Sequence, residues 1–503
     1  MFTSKNMNKH RFLIIARVGD TSYHREWLKP SIDKNFDLCL SYYGDSPEGI
    51  KNEADFYFES KGTKWPKIKE VIKALGERIN QYDAIWLPDD DILTNSSNIK
   101  KMFELFTNQQ FELAQPALTK DSFFSHAVTT EQTDYLWRYT EFVEIMAPIF
   151  SRNALNQCWE TFDISLSGWG LDLLWPKLLG YPHKKIAIID DTSVQHTRPI
   201  GTGGIYKYFS PFEELHDLEK KFDVTWLTYQ SLHYDGVLKP KRMFILVTAH
   251  ENEEVLKSQI ENIKYFNPEA GIILYNGGDN KEFAKNLNIP ICPYSRKIKW
   301  AAQARVLWDT MNWLEETDVE YEYLVNFDHD MLFIKQGFEK FLDYAMKDYD
   351  CLGWQMLKGS NLSKFPDYRV PKSLWKEWNI WRRVFGVNNF LRYFNPGQTY
   401  RKRIATKMIR HLTSNVSRSE LDSLFENTKV YGFEEMFTVT LALSCGGKCG
   451  EYPDGNVYNE AVRWGNDISL EEVQRVINHP SYYFIHPIKY KKLIKMSNLL
   501  KNY

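Results

Sequence analysis

The chain has 503 residues, more than one hydrophobic core ordinarily organises, so two or more domains are expected. With 43% hydrophobic and 25% charged residues it has a globular make-up, which excludes a disordered or collagen-like chain. Its 63 basic against 65 acidic side chains leave a formal charge of -2 and no whole-chain field to recruit nucleic acid.

In chain order, RFLIIARVG at 11–19 is a short apolar run closing in a polar turn, the pattern of a buried strand. LCLSYYGDSPE at 38–48 follows, then the amphipathic segment SKGTKWPKIKEVIKAL from 60, then the buried run DAIWLPDDDIL at 83–93, which ends in clustered acids. The second half repeats the series: RMFILVTAHEN from 242, IILYNGGDNKE from 272, SRKIKWAAQARVLWDTM from 295 and EYLVNFDHDMLF from 322. Four matching blocks in one order indicate an internal duplication, with domains at 1–235 and 236–503 and the boundary in the polar stretch HYDGVLKPKR. Alternating strands and helices imply an α/β fold, with a mainly parallel sheet in each half. Ligands in such sheets sit beyond the carboxyl ends of the strands.

Asp89, Asp90 and Asp91 repel one another unless a cation or water separates them, and they lie where a strand opens on such a cleft. An Asp-x-Asp pair there offers hard oxygen ligands for Mn²⁺ or Mg²⁺, which can bridge a diphosphate. Asp328 and Asp330 repeat the pair around His329. One such pair alone would read as a solvated turn; two at equivalent places favour metal. His196, after KIAIIDDTSVQ, and His486, after YYFI, are the expected third ligands, with His479 competing for the second place. Between acids and histidine lie SGWGLDLLW at 167–175 and YGFEEMF at 431–437. Asp172, Glu434 or Glu435 could take the proton of an attacking hydroxyl there, or balance a helix dipole.

These residues together resemble glycosyltransferases of the GT-A fold. GWGLD resembles the GWGxED element of inverting galactosyltransferase-like enzymes, with Leu171 in place of the preceding Glu. WLPDDD, SGWGLD and HTRP are similar to a domain of unknown function of bacteria and plants grouped with GT-A enzymes. The resemblance covers roughly 11–210; in the second half DHD and GFEE carry it. It implies two tandem GT-A-like, Rossmann-like domains transferring sugars from a nucleotide-sugar donor, a UDP-sugar foremost, to a glycan or lipid-linked glycan in surface polysaccharide or oligosaccharide synthesis. It also implies that Arg17, Asp20, Asp45, Asp90, His250, Asn252 and Asp279 border the nucleotide and that Lys64 and Lys299 approach its diphosphate or base. The two lysines could equally be surface residues covering a tryptophan. Three alternatives stand: one half silent and only binding glycan, a sugar-nucleotide pyrophosphorylase (for which neither first turn supplies a Gly-rich loop), or a lectin-like module.

The spacing from Asp330 to Gly432 exceeds that from Asp91 to Gly168 by about 25 residues, placing an insertion rich in Trp and Arg near 372–411. It reads as an exposed helical face or a seat for an acidic glycan or lipid-diphosphate carrier beside a membrane. Trp375, Trp378 and Trp381 suit sugar stacking or a helix core. The aromatic share of 15% admits the same two readings. The six cysteines are too scattered for a disulfide framework, and Cys445 with Cys449 reads as structural. With no run near the ~20 apolar residues of a membrane span and no signal peptide in the first ten residues, a cytoplasmic location is expected. Peripheral contact at the inner membrane face stays open through the insertion or the Lys-rich tail IKYKKLIKMSNLLKNY.

Overall fold

Seven consecutive buried residues, Phe12–Val18 (FLIIARV), form the central strand of the first sheet, and Met243–Ala249 (MFILVTA) does the same in the second. Runs apolar on both faces need cover on both faces, which a parallel sheet flanked by helices supplies. The computed structural model describes residues 3–4, 10–47, 49–201, 210–225, 235–299, 303–359, 369–455 and 461–501. Trp300 and the start of the HYDGVLKPKR stretch lie outside the described residues. The chain is an α/β protein that divides into two units, Met1–Val237 and Leu238–Tyr503.

In the first unit Phe56–Glu59, Phe36–Tyr42, Phe12–Val18 and Ala84–Trp86 run parallel side by side. Ile149–Ser151 then enters antiparallel, between Ala84–Trp86 and Leu113–Leu118, and Ile186–His196 lies parallel to Leu113–Leu118. The second unit has the order Gly271–Asn276, Met243–Ala249, Tyr323–Asp328, Leu391–Arg401, Cys351–Lys358, Cys449–Glu451. Its successive pairings are parallel, parallel, antiparallel, antiparallel and parallel. From Phe36–Tyr42 onward this is the strand order and sense of the first unit.

A small second ladder completes each unit. Ile92–Leu93 pairs with the end of the long strand at Gln195 and His196, and Leu332–Phe333 pairs with Phe484–Ile485 just before His486. One strand of eleven residues in the first unit therefore does what two short strands, Cys449–Glu451 and Phe484–Ile485, do in the second.

The aromatic excess goes largely into cores. Trp65, on the inner face of helix Lys64–Leu75, meets Phe162 at 4.8 Å and Trp175 at 4.9 Å, edge to face. Gly168, at φ +85°, lies so close to that indole that a Cβ would sit 2.4 Å from it, which accounts for glycine here. Trp378 and Trp381 are buried, Trp381 against Phe433 at 4.4 Å, while Trp375 is partly exposed.

The stretch 372–411 is not one excursion. Its middle is Leu391–Arg401, a central strand of the second sheet, and the additional helices stand on both sides: Arg369–Lys376 and Trp378–Phe385 before it, Lys402–Asn415 and Arg418–Asn427 after it. The tail is helix Lys491–Leu500, with Leu493, Met496 and Leu500 buried. Ser497 Oγ donates to the Ser258 carbonyl at 3.2 Å and Tyr265 Oη to that of Lys501 at 2.9 Å. Its apolar stripe is thus used inside the second unit and is not left for a membrane. No described helix is long and apolar enough to cross one.

Candidate active site

Each Asp-x-Asp follows a central strand, and each histidine ends the ladder facing it. In Asp89, Asp91 and His196, one ligand atom per residue lies within 4.8 Å of the others, and Asp328, Asp330 and His486 repeat this. His196 Nε2 is 3.2 Å from an Asp91 carboxylate oxygen, and His486 Nε2 is 3.2 Å from one of Asp330. The other ring nitrogen donates in both cases to a carbonyl, Phe123 or Arg463, at 2.8 Å. A carbonyl can only accept, so Nδ1 carries hydrogen, while Nε2 faces carboxylates that raise both imidazoles; once the Nε2 proton leaves, its lone pair is placed as a metal ligand needs. The chain beyond each histidine is tied to the second aspartate through its backbone: Thr197 N donates to the Asp91 carbonyl at 3.2 Å, and Ile488 N to that of Asp330 at 2.8 Å.

The donor set fits a hard divalent cation. Asp91 Oδ1 is buried without a hydrogen-bond partner among the described residues, an oxygen for which the fold supplies no proton. Enclosure pushes Asp89 and Asp328 above the ordinary carboxylate range. Burial works against Asp330 too, but the adjacent His486 outweighs it and the group stays low.

The surroundings differ between units. The first trio opens on a cavity of about 550 Å³ that Arg17, Tyr43, Lys64, Asp90, Glu144, Trp169 and Arg198 also line. Lys64 lies against Asp89 at 2.7 Å and donates to the Ile145 carbonyl at 2.8 Å, with its ammonium 4.9 Å from the Trp65 ring centre. Asp90 turns away from the trio to accept from Gly19 N at 2.8 Å, Tyr43 Oη at 3.0 Å and Arg198 at 3.1 Å. Arg17 is spent on Ser41 Oγ at 2.8 Å and the Gly62 carbonyl at 2.8 Å, and burial lowers it to about 10. Asp20 and Asp45 do not line the cavity: Asp20 accepts from Tyr42, Ser46 N and Asp45 N, and Asp45 pairs with Lys61 at 2.6 Å out in solvent.

In the second unit Asn395 takes the place of the lysine, donating to Asp328 at 2.9 and 3.1 Å. His250, Asn252 and His329 border a recess of about 20 Å³. Asp279 pairs with Lys297, and Lys299 reaches the Glu426 carbonyl at 3.3 Å; neither borders that recess. His479 stacks on Tyr482 at 4.0 Å instead of joining the trio.

Of the candidate bases Asp172 and Glu435 are buried, and Glu434 is half-buried with its Oε2 enclosed. Asp172 and Glu434 are each the second residue after a left-handed glycine, Gly170 and Gly432. Burial raises Asp172 to about 7 and Glu434 to about 8. Glu435 is held by Arg392 at 2.6 Å. Sequence reasoning passed over Glu144, whose carboxyl burial lifts to about 8, with the charge of Asp172 adding to it. The available signal was a lone acid between Val143 and Ile145. Arg198 was passed over within HTRP, where it was visible.

Unfolded carboxyls ionise near pH 4. Between about pH 4 and 8 the folded chain therefore holds protons on Asp172, Glu144 and Glu434 that the unfolded chain has released, so stability falls as pH rises. The melting temperature measured in EDTA should decline across that window; a rise would contradict the burial of these groups.

Residues 135–235 match a family described as a protein of unknown function (DUF707), a segment that contains Glu144, Asp172, His196 and Arg198. No curated protein matches the chain. Among solved structures, the chain is similar to S. aureus TarS residues 1–349 in complex with UDP-GlcNAc, at 12% identity and a TM-score of 0.32, over 61% of this chain and 81% of that one. It is also similar to A197 from STIV, at 10% identity and a TM-score of 0.24, over 37% of this chain and 86% of that one.

Proposed function

We propose that the chain is a metal-dependent glycosyltransferase that moves sugars from a nucleotide-sugar donor, a UDP-sugar foremost, to a glycan or lipid-linked glycan acceptor. Two tandem catalytic domains, 1–235 and 236–503, descend in this reading from one duplicated GT-A-like ancestor. The observation that carries it is the pair of Asp, Asp, His trios at equivalent strand ends, each with its histidine oriented through Nδ1 by a backbone carbonyl. Asp89, Asp91 and His196, and Asp328, Asp330 and His486, would hold Mn²⁺ or Mg²⁺. When bound, the ion supplies Lewis-acid neutralisation of the departing diphosphate. Arg198, fixed by Asp90 and by the Thr21 carbonyl at 2.7 Å, keeps a second positive charge at the cavity wall, and Trp169 offers an apolar face to a sugar ring. The exposed residues Lys372, Trp375, Lys376, Ile380 and Arg383 give the second unit a basic, aromatic surface suited to an anionic lipid-linked acceptor.

A second reading, in which only the first unit transfers sugar and the second binds glycan, is favoured by the contrast between the 550 Å³ cavity and the 20 Å³ recess. Both are tested by melting the full chain with UDP, GDP, ADP or CDP, with and without Mn²⁺. One nucleotide should stabilise only when the ion is present, by about 2.7 kcal/mol at a hundredfold excess over its Kd. No Mn²⁺-dependent shift with any of the four would leave a lectin-like module as the better account.

A further inference from the structure

We propose that Glu144, and not Asp172, is the carboxylate that takes the acceptor's proton in the first unit. The proposal rests on the transferase reading above and adds a catalytic residue to it. Glu144 lines the cavity shared by Asp89, Asp91, His196 and Trp169, whereas Asp172 is not among the residues lining it. Glu144 Oε2 is buried and has no hydrogen-bond partner among the described residues. A buried carboxyl oxygen without a partner costs about 1–3 kcal/mol, and among the described residues neither a helix cap nor an ion pair accounts for it.

The backbone around Glu144 is held on both sides. Its own N donates to Gln115 Oε1 at 2.6 Å. Two and four residues on, the carbonyls of Met146 and Pro148 accept from Asp89 N at 2.8 Å and Leu87 N at 2.9 Å. The carboxylate is thereby fixed relative to the strand end that carries the trio, as preorganised chemistry requires. Asp172 has an ordinary occupation, since its Oδ1 accepts from Leu173 N at 3.1 Å in the first turn of helix Leu171–Leu178.

The second unit gives the control. Beside His486 the second unit places an aromatic ring, Phe394, at 5.7 Å. The acid with an enclosed oxygen that has no partner among the described residues comes there from the glycine turn, as the half-buried Glu434. In this reading the two units draw their base from different segments of the chain.

In the first unit, with Glu144 ionised near and above pH 8, the acceptor O–H bond breaks as its proton passes to Glu144 Oε2. The hydroxyl oxygen forms the new bond to the sugar's anomeric carbon. The bond from that carbon to the diphosphate breaks, and its electron pair leaves with the nucleoside diphosphate.

The test uses the full chain carrying Asp330→Ala, which removes transfer by the second unit, with Mn²⁺ and a panel of nucleoside-diphosphate sugars, reading nucleotide release with water or simple glycosides as acceptor. Glu144→Gln should lower kcat about 100-fold or more. It should leave the Mn²⁺-dependent thermal shift by the free nucleoside diphosphate within about twofold in Kd, a split that a structural role would not produce. Glu144→Asp, which keeps a carboxylate, should recover part of the rate and stands in if the glutamine variant does not fold. The proposal is overturned if Glu144→Gln keeps more than half the rate, or if Asp172→Asn reproduces the full loss while Glu144→Gln does not. It is equally overturned if the wild-type chain binds nucleotide yet releases none from any donor. Absence of any Mn²⁺-dependent nucleotide binding would instead remove the transferase reading itself.

Discussion

Asp91→Ala should abolish the transfer activity of the first unit while leaving that of the second, and Asp330→Ala should do the reverse. Each substitution takes a carboxylate from a three-ligand cluster and leaves the other aspartate and one imidazole. The expected loss of metal affinity is roughly 100-fold or more, since even outer-shell changes at metal sites cost 10–100-fold. The fold should survive, because the neighbouring chain is anchored to the backbone of each aspartate and not to its side chain. Thr197 bonds the Asp91 carbonyl through both N and Oγ1, at 3.2 and 2.9 Å, and Ile488 N bonds that of Asp330. Separate assays of each variant against a donor panel, with Mn²⁺ titrated by thermal shift, provide the check. A variant that retains every activity of the wild type identifies its unit as silent, and the recess of the second unit makes Asp330→Ala the more informative of the pair.

The trios were legible because they are built from local features: two acids at the end of an apolar run, and a histidine after a second such run. The rest of each site was not legible, because it depends on which way loop side chains turn. Asp20 and Asp45 carry the right chemistry for a nucleotide, yet Asp20 spends it on the backbone of the Asp45 turn, Asp45 on Lys61 and Asp279 on Lys297. Lys64 and Lys299 occupy matching blocks, but only Lys64 meets its aspartate, from the start of a helix; in the second unit Asn395 does so, from a strand.

The polar strand Leu391–Arg401 misled for a related reason. LRYFNPGQTYR reads as surface, but Gln398, Thr399 and Arg392 are buried with partners: the Glu434 carbonyl at 3.1 Å, Tyr452 Oη at 2.5 Å and Glu435 at 2.6 Å. Buried polar side chains satisfied by distant residues leave no periodic trace in a sequence.

Arg138→Ala should be among the most damaging single changes to the first unit. Arg138 holds Asp190 through two bonds of 2.9 Å and donates to the Val128 and Thr130 carbonyls, while Asp190 also accepts from Gln132 N at 2.8 Å. Both side chains are almost wholly buried, at 2% and 0% exposure. Their mutual attraction need not exceed the cost of desolvating both charges, but removing one partner strands the other, which costs about 3–5 kcal/mol. For a unit of this size that is roughly 10 °C in melting temperature, at about 2–4 °C per kcal/mol.

The pair also has a positional role. Asp190 sits at the start of the irregular stretch between Ile189 and Val194, where the pairing with Leu113–Leu118 shifts register on the way to His196. Loosening that stretch should weaken Mn²⁺ binding as well as stability, although Arg138 touches no ligand of the trio. Replacing both charges, as Arg138→Met with Asp190→Leu, should recover much of the stability but less of the metal affinity, because Gln132 N and the two carbonyls lose the partners that set the local path of the chain. A loss below about 1 kcal/mol for Arg138→Ala, the range of an exposed ion pair, would show that the register of this strand is held by something other than the pair.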